Sequence, residues 1–266
     1  MIITLLKSLR ISWSSKTVNM FLLALTYAYF SNLTIINPAQ IIEGLILVCT
    51  LWGALYSLND LTDIKSDRNN PEKQNRAFIK DTVERKWIIA FIVGLISLIF
   101  IISVLTLNIY FSVIMGLMLI NQIIYTVPPI RLKETRLAPF ASTANNSVLR
   151  IASCCILLGN IFLVPLSVYI FMYVASLGTY LMYKGNTKVA SLVGILTGAI
   201  LLYILYFGQI NFIQLAVAIL PAIIAGIPLY LSLFFRKDRL AQIADVLYHQ
   251  VALVFFLIII LYILYH

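Results

Sequence analysis

Long apolar runs alternate with two kinds of interruption along this chain. Short polar turns fall near Asn37-Pro38, Leu107-Asn108, Gly159-Asn160 and Gly208-Gln209, and none of them holds Lys or Arg. The other interruptions are charged loops. The runs between them predict nine spanning helices, at about residues 17–36, 41–58, 87–106, 110–127, 138–158, 163–183, 190–207, 213–235 and 246–265. Each is close to the roughly 20 residues that cross a bilayer core. The runs are continuous rather than alternating, which excludes a β-barrel. Residues 1–16 mix Leu5, Leu6, Leu9 and Ile11 with Lys7, Arg10 and Lys16, the pattern of an amphipathic segment lying on the membrane surface. No A-x-A-like site follows the first run, so no cleavable signal peptide is expected. The expected architecture is one all-α membrane domain over residues 1–266.

Composition strengthens this reading. Of 266 residues, 62% are hydrophobic and 11% charged, against roughly 25% charged in soluble domains. The mean hydropathy is +0.99. A soluble enzyme, a nucleic-acid module and a disordered chain are all excluded. The net charge of +9 would suggest nucleic acid in a soluble protein, but here its distribution matters more. Eighteen of the 19 basic residues, and nine of the ten acidic ones, fall in loops on one face; the exceptions are Arg150 and Glu43. Positive-inside topology then places the N-terminus and the long loops in the cytoplasm of a cell-membrane protein, with the C-terminus outside. The chemistry is expected at the cytoplasmic helix mouths, in a central cavity open to soluble charged substrates and flanked by lipid. Cys49, Cys154 and Cys155 lie in apolar runs with no CxxC spacing and read as packing residues. His249 and His266 offer no metal spacing.

After the second run the chain reads Asn59-Asp60-Leu61-Thr62-Asp63-Ile64-Lys65-Ser66-Asp67-Arg68. On a continued helix, Asn59, Asp63 and Asp67 follow at i, i+4 and i+8, with Asp60 on the same side. Like charges on one face repel unless a counter-ion joins them. Mg²⁺ takes one or two carboxylates and completes its shell with water and phosphate oxygens. Asn59, Asp60, Asp63 and Asp67 are therefore the expected metal site, holding a diphosphate through the ion. Pro71 breaks any helix beyond it, and Arg68, Lys73 and Arg76 in that loop suit phosphate oxygens.

These residues resemble the UbiA superfamily of intramembrane prenyltransferases. Asn59-x-x-x-Asp63-x-x-x-Asp67 is similar to its first Asp-rich motif. Tyr125-Thr-Val-Pro128-Pro129-Ile-Arg131-Leu-Lys133 is similar to a second family stretch, after the fourth span. The resemblance implies a helical bundle around a cavity, Mg²⁺ as cofactor, and transfer of a polyprenyl group from its diphosphate to a small or lipid acceptor. It makes Asp63, Asp67, Lys133 and Arg150 candidate catalytic residues. Arg68, Lys73, Arg76, Tyr125, Arg131, Lys184 and Lys188 become candidate diphosphate contacts. The expected partners are a polyprenyl diphosphate or polyprenyl phosphate and the lipid bilayer, with neither nucleic acid nor a protein partner.

The family's second Asp-rich motif is missing. Its place reads Met182-Tyr183-Lys184-Gly185-Asn186-Thr187-Lys188, where Lys184 and Lys188 would supply positive charge directly. In this the chain resembles the decaprenyl-phosphate phosphoribosyltransferase-like branch, as it does at Asp67-Arg68-x-x-Pro71-x-Lys73-x-x-Arg76, Ser147–Ala152 and Leu9-Arg10. That branch implies an alternative reaction, phosphoribosyl transfer from phosphoribosyl diphosphate to a polyprenyl phosphate. A transporter is the alternative of another class. It would place ionisable groups near the bilayer midplane, whereas this chain gathers its charge at one face. Arg150 alone lies within a span. Burying it costs a few kcal/mol, so it is expected to face the interior and meet a phosphate or a motif carboxylate, with Asn145 and Asn146 one turn earlier beside the same cavity.

Overall fold

Asparagine side chains set where several of the helices begin. Asn37 accepts a hydrogen bond from the Gln40 backbone N–H at 3.3 Å, and Pro38 takes the first helical position of the second spanning helix. Asn108, Asn186 and Asn211 cap later helices in the same way. The computed structural model describes residues 1–69, 73–74, 76–80, 83–235 and 238–266. Pro71, expected to break the helix, and Arg236 and Lys237, two of the expected cytoplasmic charges, lie outside the described residues.

Regular structure among the described residues is helical throughout. The helices are α1 (Ile2–Ser8), α2 (Ser15–Phe30), α3 (Pro38–Asp67), α4 (Arg85–Thr106), α5 (Ile109–Thr126), α6 (Asn145–Leu157), α7 (Leu166–Tyr183), α8 (Thr187–Tyr206), α9 (Phe212–Phe235) and α10 (Arg239–Tyr265). A π-helical turn, Phe140–Ala144, leads into α6, and two more lie within α9 and α10, at Leu215–Ile219 and Leu247–Val251. Seven of the described helices are long and apolar enough to cross a membrane. The other two expected spans are helices at the expected places, but shorter: α2 has 16 residues and α6 has 13.

The reason is position. Sequential neighbours pack around the bundle, α3 on α4, α5 on α6 and α7 on α8, and α10 closes the circle against α2. Inside it, α2 packs on α3, α6 and α10, and α6 packs on α3 and α5. In α2, 13 residues are buried. In α6 the buried set includes Asn146, Ser147, Arg150 and Ser153. These inner helices hold the polar groups that lipid would reject. The outer helices turn Val93, Leu98, Ile101 and Leu105 of α4, and Leu192, Ile195 and Leu202 of α8, outward, because a bilayer gives apolar side chains no reason to hide. The three cysteines are free thiols, two of them in the core.

The N-terminal segment docks on α3. Ser8 Oγ lies 2.7 Å from Ser57 Oγ, and a Cβ built on Gly53 would stand 3.0 Å from the Leu9 carbonyl oxygen. Gly53 thus lets the two backbones touch, and this contact places Arg10.

Candidate active site

Helix α3 is 30 residues long, about 45 Å at 1.5 Å per residue. That exceeds a hydrocarbon core of about 30 Å, so its last turns stand at the mouth of the bundle. Asp60, Asp63 and Asp67 all lie there, at 4%, 9% and 1% exposure. Each is held by two cations. Arg10 grips Asp60 with one nitrogen at 2.7 Å from both carboxylate oxygens. Arg76 bridges Asp60, at 3.1 Å, and Asp67. Lys73 completes Asp67 at 2.7 Å. Arg131 and Lys133 reach Asp63 Oδ1 at 2.7 and 2.6 Å.

Arg131 and Lys133 arrive by a tight chain reversal. After α5 the backbone turns extended at Val127, and Arg131 takes the left-handed conformation, φ 40°, rare for a non-glycine residue. The three-residue turn Leu132–Glu134 then swings Lys133 back over α3. Its ammonium sits among three oxygens: Asn59 Oδ1 at 3.0 Å, Asp63 Oδ1 at 2.6 Å and Thr126 Oγ1 at 2.8 Å. Burial pulls the Lys133 pKa down from its ordinary value, and the Asp63 carboxylate pushes it back up.

This donor set fits a hard divalent cation. Asn59 and Asp63 already converge on a positive charge, so Lys133 Nζ acts as a stand-in ion. Among the described residues no three His, Cys, Asp or Glu side chains meet at one point. Magnesium does not need such a cage, since it keeps several waters and shares phosphate oxygens.

Beneath the mouth lies a cavity of about 450 Å³. Asn59, Asp63, Lys73, Arg76, Arg131 and Lys133 line its upper part; Trp52, Tyr56, Gln122, Tyr125, Asn146 and Arg150 line the rest. Lys16 and Lys184 also face it. A smaller cavity of about 120 Å³, lined among others by Met20, Met172, Met182 and Leu229, meets the first at Lys16.

The structure thus brings most of the sequence-derived candidates together. Asp60 and Asp67 stand just behind the lining, screened by Arg76. Arg68 is exposed and turned away from the cavity; it follows Asp67 by one residue, and one step of a helix rotates the side chain by about 100°. Lys188 is exposed and outside the lining, on the first turn of α8, while Lys184 at the end of α7 reaches it. Asn146 lines the cavity, whereas Asn145 lies 3.4 Å from Asn121. The sequence reading did not name Trp13, Trp52, Tyr56 or Gln122 as cavity residues, nor Thr126 as a site residue, and it left Arg10 and Lys16 as surface charge. Arg10 carried the Leu9-Arg10 resemblance and Thr126 lay inside the Tyr125–Lys133 stretch, while at Gln122 the signal was a polar residue in an apolar run.

The UbiA prenyltransferase family matches residues 20–144, a stretch that contains both α3 and the Lys133 turn. Over those residues, just under half of its length, the chain is similar to UbiA prenyltransferases. The seven long apolar helices among the described residues are those of a multi-pass integral membrane protein. Its fold is that of an Archaeoglobus fulgidus UbiA homolog solved with GPP and Mg²⁺: TM-score 0.67, 14% identity, 96% of this chain and 99% of that one. The same homolog with DMAPP and Mg²⁺ aligns at TM-score 0.66 and 14% identity, with the same coverage. No curated protein matches the chain. Arg150, Lys184 and Lys188 lie beyond the UbiA-matched residues.

Proposed function

We propose that this chain is a UbiA-type, Mg²⁺-dependent prenyltransferase that moves a prenyl group from its diphosphate to a small or lipid acceptor at the cytoplasmic mouth of the bundle. One observation carries the reading: every carboxylate of the α3 mouth is already engaged by cations, and one of those cations sits between Asn59 and Asp63 where a metal would sit. The fold shared with a homolog solved with GPP and Mg²⁺ supports it.

In the proposed reaction the bond between the allylic carbon and the diphosphate oxygen breaks, and its electron pair leaves on the diphosphate. The acceptor atom then bonds to that carbon and gives up its proton. Mg²⁺, when bound, would supply positive charge to the departing oxygens. Asn59 and Asp63 at the cavity lining would hold it, with Asp60 and Asp67 behind them once Arg76 and Lys73 turn toward phosphate. Arg76, Arg131, Lys133 and Lys73 turn their donors from the carboxylates toward phosphate oxygens, fixed positive groups placed where negative charge develops. Tyr125 stands at the cavity wall beside the same oxygens. Orientation follows the basic loops: N-terminus and mouth in the cytoplasm of the cell membrane, C-terminus outside.

Phosphoribosyl transfer to a polyprenyl phosphate is the second reading. It is favoured by Lys184, a cation lining the cavity where the family places carboxylates. Membranes offered labelled prenyl diphosphates and phosphoribosyl diphosphate in parallel decide between the two. Asp63→Asn and Asp67→Asn are expected to abolish Mg²⁺-dependent turnover of the productive donor while the protein still folds. Full turnover in both variants removes the metal assignment.

A further inference from the structure

Helix α1 has two unlike faces. Thr4, Leu5 and Ser8 fall on one side and are buried. Ile2, Ile3 and Leu6 fall on the other, with Lys7 at its edge. Met1, Ile2, Ile3 and Leu6 are each more than half exposed, and so is Ile11 just beyond the helix. Leu5 anchors the segment by packing with Phe78, Ile88 and Ile92. A surface helix normally turns its polar side outward. An outward face this apolar marks a contact surface.

Helix α4 identifies what lies against it. At 100° per residue, Trp87, Gly94, Leu98 and Leu105 fall within about 40° of one another around α4, and Leu98 and Leu105 are exposed on the lipid-facing side of the bundle. The 22 residues of α4 rise about 33 Å, close to the roughly 30 Å of a hydrocarbon core. Trp87, in the first turn, therefore stands at the boundary between acyl chains and headgroups, where tryptophan rings concentrate.

Between Trp87 and α1 runs an open groove of about 640 Å³, inside the range of about 300–1,000 Å³ that small-ligand sites occupy. Its walls include Ile3, Thr4, Lys80, Val83 and Trp87. The apolar face of α1 is thus continuous with the lipid-facing stripe of α4, at headgroup level. The groove joins an ammonium, Lys80, to apolar side chains, which is the pairing that the phosphate and acyl chains of a phospholipid require. Glu84 also lines it but is engaged by Lys86 at 2.6 Å, and the Lys86 ammonium lies 5.7 Å from the centre of the Trp87 ring.

This face is tied to the mouth. Arg10 lies two residues past the end of α1, takes φ 46° and grips Asp60. Ser8 and Leu9 between them rest on Ser57 and Gly53 of α3. Little slack therefore separates the outward apolar row from the first carboxylate of the mouth.

We propose that a phospholipid of the mouth-side leaflet seats in the groove between α1 and the first turn of α4, that the outward row of α1 inserts beside it, and that the leaflet thereby holds Arg10 on Asp60. Neither the groove nor the inserted row depends on the transferase reaction.

The test uses the full chain in nanodiscs made from equal parts of phosphatidylcholine and phosphatidylglycerol. A nitroxide is attached at Ile2→Cys and, as a water-facing control, at Lys65→Cys. Oxygen concentrates in lipid and a nickel chelate stays in water, and each relaxes the label by collision. The oxygen-to-nickel ratio is expected to be about fivefold or more higher at Ile2→Cys than at Lys65→Cys. Equal ratios put the row in water, and protection from both reagents puts it against a second copy or another protein; either result refutes the inserted row. Native mass spectrometry of the unmodified protein released from the nanodiscs is expected to show a retained phospholipid, and Lys80→Gln and Trp87→Ala are each expected to cut its occupancy about threefold or more. No retained lipid, or equal retention in all three proteins, refutes the groove. Ile3→Glu combined with Leu6→Glu is expected to bring the Ile2→Cys ratio down to that of Lys65→Cys and to speed proteolytic clipping of residues 1–14 about fivefold. Unchanged clipping refutes the hold on Arg10. Should the double variant fail to fold, clipping of the unmodified chain is compared in nanodiscs and in lipid-free detergent, where equal rates give the same refutation. None of these readouts uses turnover, so a chain that transfers no prenyl group passes or fails them all the same.

Discussion

Thr126 organises the neutral side of the proposed metal site at the mouth. Its hydroxyl donates to Asn59 Oδ1 at 2.8 Å, accepts from Lys133 Nζ at 2.8 Å and lies 3.0 Å from the Thr62 hydroxyl, all in a fully buried position. Replacing it by valine keeps the shape and removes three polar contacts. Each lost contact is worth about 1 kcal/mol, and the Asn59 amide loses the group that aims it. Thr126→Val is expected to raise the Mg²⁺ concentration needed for half-maximal turnover by about three- to tenfold, for a free-energy change of order 1 kcal/mol, with little change at saturating metal. A titration of turnover against Mg²⁺ checks this; an unchanged midpoint shows that Asn59 is held without Thr126. The same residues show what a sequence can disclose. Asn59, Asp63 and Asp67 were legible because helical periodicity alone puts them on one face. Lys133 was legible through its local motif. Thr126 lies in the same motif, but its role was not legible, because it depends on a contact 67 positions away with Asn59.

At the scale of elements, the approach of the N-terminal segment to α3 has a single sequence determinant. A Cβ at Gly53 meets the Leu9 carbonyl at 3.0 Å and the Leu9 side chain at 3.1 and 3.3 Å. Backbone cannot swing aside as a side-chain tip can, so Gly53→Ala pushes the segment outward and pulls Arg10 from Asp60. Gly94, on the lipid-facing α4, has no neighbour within 4 Å of such a Cβ. Gly53→Ala is expected to lower turnover about tenfold and to speed proteolytic clipping of residues 1–14. Gly94→Ala leaves both unchanged and is stabilising, if anything, by up to about 1 kcal/mol of helix propensity. Equal behaviour of the two variants in a paired assay would show that Arg10 does not depend on this contact. Seven of the nine expected spans were legible as long apolar runs that meet the length and hydropathy of a membrane crossing. Helices α2 and α6 fall short for a physical reason: they face other helices rather than lipid, so length and apolarity are relaxed and the polar cavity residues go there.

The whole molecule gathers its charge on one face, and that asymmetry makes a topological claim. Lys65, Lys86, Arg136 and Lys188 are exposed on the mouth side, while Thr34, Asn108 and Asn160 mark the uncharged turns. Cytoplasmic Lys and Arg hold a multi-span protein in one orientation, and the diphosphate donors proposed for the mouth are soluble only in their charged heads, which must enter from water on that side. Cysteines introduced at Thr34 and at Lys65 are therefore expected to differ in intact cells: a membrane-impermeant maleimide labels Thr34→Cys directly and Lys65→Cys only after permeabilisation. The native thiols contribute little background, since Cys154 and Cys155 are buried and Cys49 is half-buried among the inner helices. Labelling of Lys65→Cys in intact cells would place the carboxylate mouth outside. The basic loops would then lose their part in orientation, and the donor would have to be drawn from the opposite aqueous phase.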